Sequence, residues 1–174
     1  MSVPLVSVPA PIEARLAELG GRPVNLYRAL ANQPEMLAAW IEFAWSVRRK
    51  PKTSRRLREL MIVRGAALMD CEYELSHHQA MALRSGISQE ELASLDGWRA
   101  SGHFSPAERA ALGFMEAMAE GSVPDAVGAE LARHFDAAER VELTLTAGLY
   151  CMVPRVISAL RVPLEDDGTD SPEG

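Results

Sequence analysis

Several things are scarce in this 174-residue chain, and each scarcity excludes a class of protein. It has two cysteines, Cys71 and Cys151, too few for the disulfide framework of a small secreted domain, which points to a reducing cytoplasm. No uninterrupted apolar run approaches the roughly 18 residues of a membrane-crossing helix. The first eleven residues, MSVPLVSVPAP, hold no basic segment and no apolar core before a cleavage site, so they do not read as a signal peptide. Alternating apolar and polar residues, the mark of a strand, are missing throughout. Excess positive charge is missing too: the formal net charge is −6. Five of those negative charges belong to Glu165, Asp166, Asp167, Asp170 and Glu173, so the body is close to neutral. Neither a nucleic-acid nor a membrane partner is expected from that balance.

What is present is helical patterning. Residues 1–11 read as an extended, Pro-rich segment, 12–164 as a single domain, and 165–174 as a disordered acidic tail. Helices are expected over Ile12–Leu19, Asn25–Ala31 and from Pro34 to about Val47. Ser88-x-x-Glu91 and Ser105-x-x-Glu108 match the capping box and open two more, to about Leu95 and about Glu120. Asp136-x-x-Glu139 begins a long apolar segment, Val141–Leu160, with Pro154 expected to kink or break it. His103 and His134 fall near expected helix starts and read as surface or capping residues. The fold class is all-α with roughly seven or eight helices. A basic run between Arg48 and Arg58, with seven Lys or Arg, reads as a solvated linker and an exposed helix start rather than an anion patch.

The chemistry concentrates between Arg55 and Gly86, read as two helices meeting at Met69-Asp70. The first carries Glu59 among apolar residues. The second takes Asp70 as its N-cap and ends at Gly86. At 100° per residue, Cys71, Glu74 and His78 fall within an arc of roughly 60° beside an apolar stripe. Polar groups in such a place must satisfy one another or serve a ligand, because each left unpaired costs about 1–3 kcal/mol. His77 and Tyr73 point elsewhere, and Cys151 reads as core.

The run R-E-L-x-I-x-R-x-A-x-L-x-x-C-E-Y-E-x-x-x-H-H, then G-x-S-x-E-E-L, resembles the carboxymuconolactone decarboxylase family, within the alkylhydroperoxidase D-like superfamily of small all-α proteins. Phe104–Arg109 (F-S-x-x-E-R) and Leu160–Glu165 (L-x-V-P-L-E) extend the resemblance over most of the chain from about Pro34. In the superfamily's peroxidases a glutamate, a C-x-x-C pair and a histidine cooperate. The resemblance sets the glutamate on Glu59, the first cysteine on Cys71 and the histidine on His78. Glu74 stands at the second cysteine, so the dithiol cycle is not available within the site.

The resemblance therefore implies a homo-oligomeric, cytoplasmic enzyme that works without a cofactor by acid–base chemistry on a small organic acid, lactone or related metabolite. His78 and Glu59 would be the acid–base pair, Glu74 would orient the histidine, and Cys71 would line the pocket. Glu59 and His78 should then lie within direct or one-water hydrogen-bond reach. Three alternatives stand beside it: a thiol peroxidase using Cys71 alone, a zinc or iron site built from Glu59, Cys71, Glu74 and His78, and a non-catalytic family member.

Overall fold

The computed structural model describes residues 2–49 and 51–165. Among the described residues there are nine helices and no strand: α1 (Ala10–Glu18), α2 (Asn25–Leu30), α3 (Pro34–Arg49), α4 (Arg55–Leu68), α5 (Glu72–Arg84), α6 (Gln89–Ser94), α7 (Pro106–Glu120), α8 (Asp125–His134) and α9 (Ala137–Leu160). The all-α expectation holds. Helix α1 starts two residues before Ile12. His134 ends α8 rather than beginning a helix, and α9 runs on through Pro154 without a break. By length and composition α9 could cross a membrane, although half of its most apolar stretch is buried inside the protein. In the sequence that stretch is not an unbroken apolar run, because Arg155 and small polar residues such as Thr144, Thr146 and Ser158 interrupt it.

The chain divides into two compact units. One comprises the residues up to Lys50 together with those from Arg155 onward. Its α1 and α3 bury Leu16, Leu37 and Ile41, and the Trp45 indole N–H donates to the Leu19 carbonyl (2.8 Å). Gly21 is required beside that ring, since a Cβ there would come within 2.7 Å of the indole. Glu165, assigned above to the acidic tail, instead accepts the backbone N–H of Asn25 (2.8 Å). The rest of that tail, from residue 166, lies outside the described residues.

The second unit, Pro51–Pro154, is built around α4. Leu57 and Met61 pack with Phe114 and Met115 of α7, Leu131 of α8 and Leu143 of α9. Leu60 and Val63 pack into a second cluster with Ala82, Ile87, Leu95, Trp98 and Leu112. With neighbours on both faces, α4 buries Leu57 through Val63 without interruption. A helix enclosed all round is ordinarily apolar all round, yet this stretch includes Arg58 and Glu59.

The basic run is a solvated linker only in part: Arg49 and Lys52 are exposed as expected, whereas Arg56 and Arg58 are drawn into the fold. Lys52 pairs with Asp136 (2.7 Å), and Arg58 is buried. Arg56 reaches three acceptors: Glu91 (2.5 Å), Glu108 (2.8 Å) and the Gly86 carbonyl (2.9 Å). Glu91 and Glu108 are the closing residues of the capping boxes of α6 and α7, so one guanidinium holds two helix starts against α4. Arg56, helped by the Ser88 N–H, outweighs burial and takes the Glu91 carboxyl down to about 2. A depressed carboxylate contributes stability above its unfolded pKa and loses it as pH falls through the folded value. Arg56→Met is therefore expected to cost about 1–3 kcal/mol at neutral pH. In urea titrations its deficit should narrow as pH drops from about 4.5 towards 2. An unchanged urea midpoint at neutral pH would show the cluster to be ornamental.

Candidate active site

Helix α4 ends in a left-handed residue, Asp70 (φ 50°). The Cys71 N–H returns to the Ala66 carbonyl (3.0 Å) and the Asp70 N–H to Ala67 (3.2 Å), a Schellman closure. Asp70 is thus the last residue of one helix's stop signal and not the N-cap of the next. That cap is Cys71, which makes no side-chain capping bond. Cys71 consequently precedes the regular helix, while Glu74 and His78 lie one turn apart within it and return the imidazole towards α4.

There His78 Nδ1 meets Glu59 Oε2 at 2.8 Å, and the other Glu59 oxygen accepts from Arg55 Nε at 2.6 Å. Glu59 is 1% exposed, His78 3%, Glu74 5% and Cys71 7%. Burial pushes the Glu59 carboxyl up, but His78 and Arg55 outweigh it and hold the group below the usual carboxylate range. An ionised Glu59 accepts and cannot donate, so Nδ1 carries the hydrogen and Nε2 is the nitrogen left over. Glu74 Oε2 stands 3.6 Å from that Nε2. This separation is too long for a hydrogen bond, and Oε2 is buried with no hydrogen-bond partner among the described residues. The Tyr150 ring of α9 meets the imidazole edge-on, 4.9 Å between centroids.

Glu59, Glu74 and His78 therefore converge, and Cys71 adjoins Glu74. His77 turns away, with Nδ1 2.8 Å from the Tyr73 carbonyl and its ring stacked on Tyr73. Arg55 and Tyr150 were not anticipated. Arg55 had a signal, its i,i+4 spacing to Glu59. Tyr150 had none, because only tertiary packing brings α9 to α5. Among the described residues no three His, Cys, Asp or Glu side chains are placed to hold a metal ion. Glu59 spends one oxygen on Nδ1 of His78 and the other on Arg55, which dismantles the four-ligand arrangement considered above.

Cys71 and Cys151 are both thiols, and Cys151 packs against the Leu57–Met61–Phe114 cluster. Burial is the main force raising the Cys71 pKa; the Glu74 charge adds to it, while the backbone N–H groups of Glu74 and Tyr73 oppose it. Alkylation by iodoacetamide at neutral pH should accordingly be much slower than for an unhindered thiol, and mild oxidation with diamide should leave the intact mass unchanged. Rapid labelling, or loss of two hydrogens through a Cys71–Cys151 bond, would contradict this picture.

Comparison with known proteins follows the same lines. Residues 34–117 match the carboxymuconolactone decarboxylase family. A protein named YnjA from Escherichia coli (strain K12) is 35% identical over 133 residues, covering 75% of this chain and 70% of its own. An alkylhydroperoxidase AhpD core protein from Ralstonia eutropha JMP134, described as peroxidase-related, superposes with a TM-score of 0.79 at 19% identity, over 95% of this chain and 92% of that one. The debrominase Bmp8, as a cysteine-to-alanine variant in complex with 2,3,4-tribromopyrrole, gives 0.76 at 18% identity, over 91% and 86%. The structural likenesses show an AhpD-like helical fold. Taken with the 35% identical relative and the matched segment from α3 into α7, they place the chain plainly: it belongs to the carboxymuconolactone decarboxylase family.

Proposed function

We propose that this chain is an enzyme that transfers a proton on a small organic acid, lactone or related metabolite, with His78 Nε2 and Glu74 as the reacting groups. The observation that carries the reading is the asymmetry around the imidazole. Nδ1 is fixed by a buried carboxylate at 2.8 Å, whereas Nε2 looks towards a buried oxygen that accepts no hydrogen bond among the described residues. A histidine held in this way accepts a proton at Nε2, and Glu59 stabilises the charge that forms. The two glutamates thus exchange the roles the sequence suggested: Glu59 orients and Glu74 faces the substrate. In the reaction of the family's name, the bond to a carboxylate breaks and CO2 leaves. His78 Nε2 first takes up a proton from the substrate's acid group or from solvent; as CO2 leaves, the electron pair passes into the conjugated lactone and that proton is delivered to carbon, returning the imidazole to its starting form.

A depletion screen tests this. Purified wild type and His78→Ala are incubated with a metabolite extract and with carboxymuconolactone, and consumption is followed by mass spectrometry. Compounds consumed only by wild type support the reading; equal depletion by both proteins ends it.

A second reading is thiol chemistry at Cys71, because it occupies the N-cap of α5, where the positive end of a helix favours a thiolate. Burial and the Glu74 charge, which keep the thiol protonated, count against it. Peroxide consumption that Cys71→Ser abolishes would favour it over proton transfer.

A further inference from the structure

Arg58 is only 6% exposed, one residue from Glu59 in the enclosed part of α4. Its Nη1 donates to the Thr53 carbonyl (2.7 Å) and lies 3.4 Å from the Thr53 hydroxyl. Among the described residues no carboxylate lies within ion-pair distance of it. The nearby acids are spent elsewhere: Glu59 on His78 and Arg55, and Glu142 on the N–H groups of Lys52 and Thr53 and the Thr53 hydroxyl. A buried guanidinium with no carboxylate in direct contact is costly. Burial and the neighbouring Arg55 both push the Arg58 guanidinium down, against Glu59, Glu142 and Tyr150.

A second observation comes from α9. Glu142, Thr146 and Tyr150 are spaced i, i+4, i+8 and share one face of that helix. Glu142 accepts from the same Thr53 that Arg58 donates to, and Tyr150 meets His78, so Thr146 between them lies on the side of α9 turned towards this part of the site. Thr146 is 1% exposed, and its hydroxyl has no hydrogen-bond partner among the described residues. A buried guanidinium on α4 whose one acceptor residue among the described residues is Thr53, an unpaired hydroxyl on α9 and the histidine are thus ranged along one side of α9.

We infer that Arg58 and Thr146 form a carboxylate-binding subsite beside His78, in which the guanidinium N–H groups not used by Thr53 and the Thr146 hydroxyl donate to the two oxygens of a small carboxylate ligand. The subsite rests on the proton-transfer reading for its purpose, holding the substrate's acid group next to the imidazole, but its occupancy is measurable without turnover. Sites built to hydrogen-bond one group reject its analogues sharply.

Acetate, crotonate and benzoate, each paired with its amide, are titrated calorimetrically into wild type, Arg58→Gln, Arg58→Lys, Thr146→Val and His78→Ala. Wild type is expected to bind at least one acid tenfold or more tighter than its amide, or about 1.4 kcal/mol. Arg58→Gln should erase that preference, Arg58→Lys should retain part of it, and Thr146→Val should weaken acid binding by about three- to tenfold with an unchanged melting temperature. If Arg58→Gln does not fold, Arg58→Lys and Thr146→Val decide. Wild type without preference for any acid overturns the subsite, as do variants at Arg58 and Thr146 that all bind as wild type does. His78→Ala should keep the preference while losing turnover. If turnover persists in that variant, the proton-transfer reading fails and the subsite stands.

Discussion

Glu74→Gln is expected to lower turnover by about 10²–10⁴-fold while leaving the protein as stable as wild type, or more so. The two halves of that expectation have one cause. Glu74 Oε2 is buried without a hydrogen-bond partner among the described residues, so the folded state gains no bond from it and carries a desolvation penalty of about 1–3 kcal/mol. Glutamine keeps the shape, removes the ionisable oxygen, and offers an N–H that can turn to the bare Nε2 of His78. Groups retained at a cost to stability are the ones a reaction needs. Thermal unfolding and turnover measured on one preparation check both halves. A melting temperature that falls by several degrees together with activity would recast Glu74 as a structural partner of His78.

Glu59→Ala should behave in the opposite way and carry the largest stability loss. Glu59 is the acceptor for His78 Nδ1 and for Arg55 Nε, and its removal strands a buried imidazole N–H. Breaking a buried pair costs about 3–5 kcal/mol. Arg55, whose side chain is 33% exposed, can turn to water, which puts the expectation near about 3 kcal/mol. Glu59→Gln keeps an acceptor oxygen and should lose less, about 1–2 kcal/mol. The pH dependence follows from the depressed Glu59 carboxyl. Below-normal folded affinity for the proton means stability that is present above the unfolded pKa and is lost as pH falls through the folded value. The gap between wild type and Glu59→Ala in urea midpoints should thus be widest at neutral pH and shrink in acid. A gap that grows on acidification would reverse the assigned charge of Glu59.

How far the sequence went depended on where the information is stored. Capping boxes are local, and those at Ser88 and Ser105 form as read. Helix α8 was missed because its start carries no such mark: its N-cap is Pro124, without a side-chain bond, and Gly128 weakens the helical pattern behind it. The Asp70 cap was misplaced because one residue type serves two signals. Aspartate favours N-caps but also tolerates the left-handed turn that closes α4. Glu59 reaching His78 was legible from helix faces together with the resemblance. The split between the glutamates was not, since it depends on which imidazole nitrogen meets which carboxylate. Arg58 looked like one more charge in a basic run. Its burial comes from α4 being packed on every side, which no single-helix pattern announces.

The imidazole of His78 and the thiol of Cys71 are the two rival reacting groups. The most direct measurement is single-turnover consumption of a screened substrate by wild type, His78→Ala and Cys71→Ser under identical conditions. Predicted is a loss of at least 10²-fold in His78→Ala, with Cys71→Ser retaining its rate within several-fold. A Cys71→Ser protein that is dead beside an active His78→Ala would contradict the proton-transfer reading.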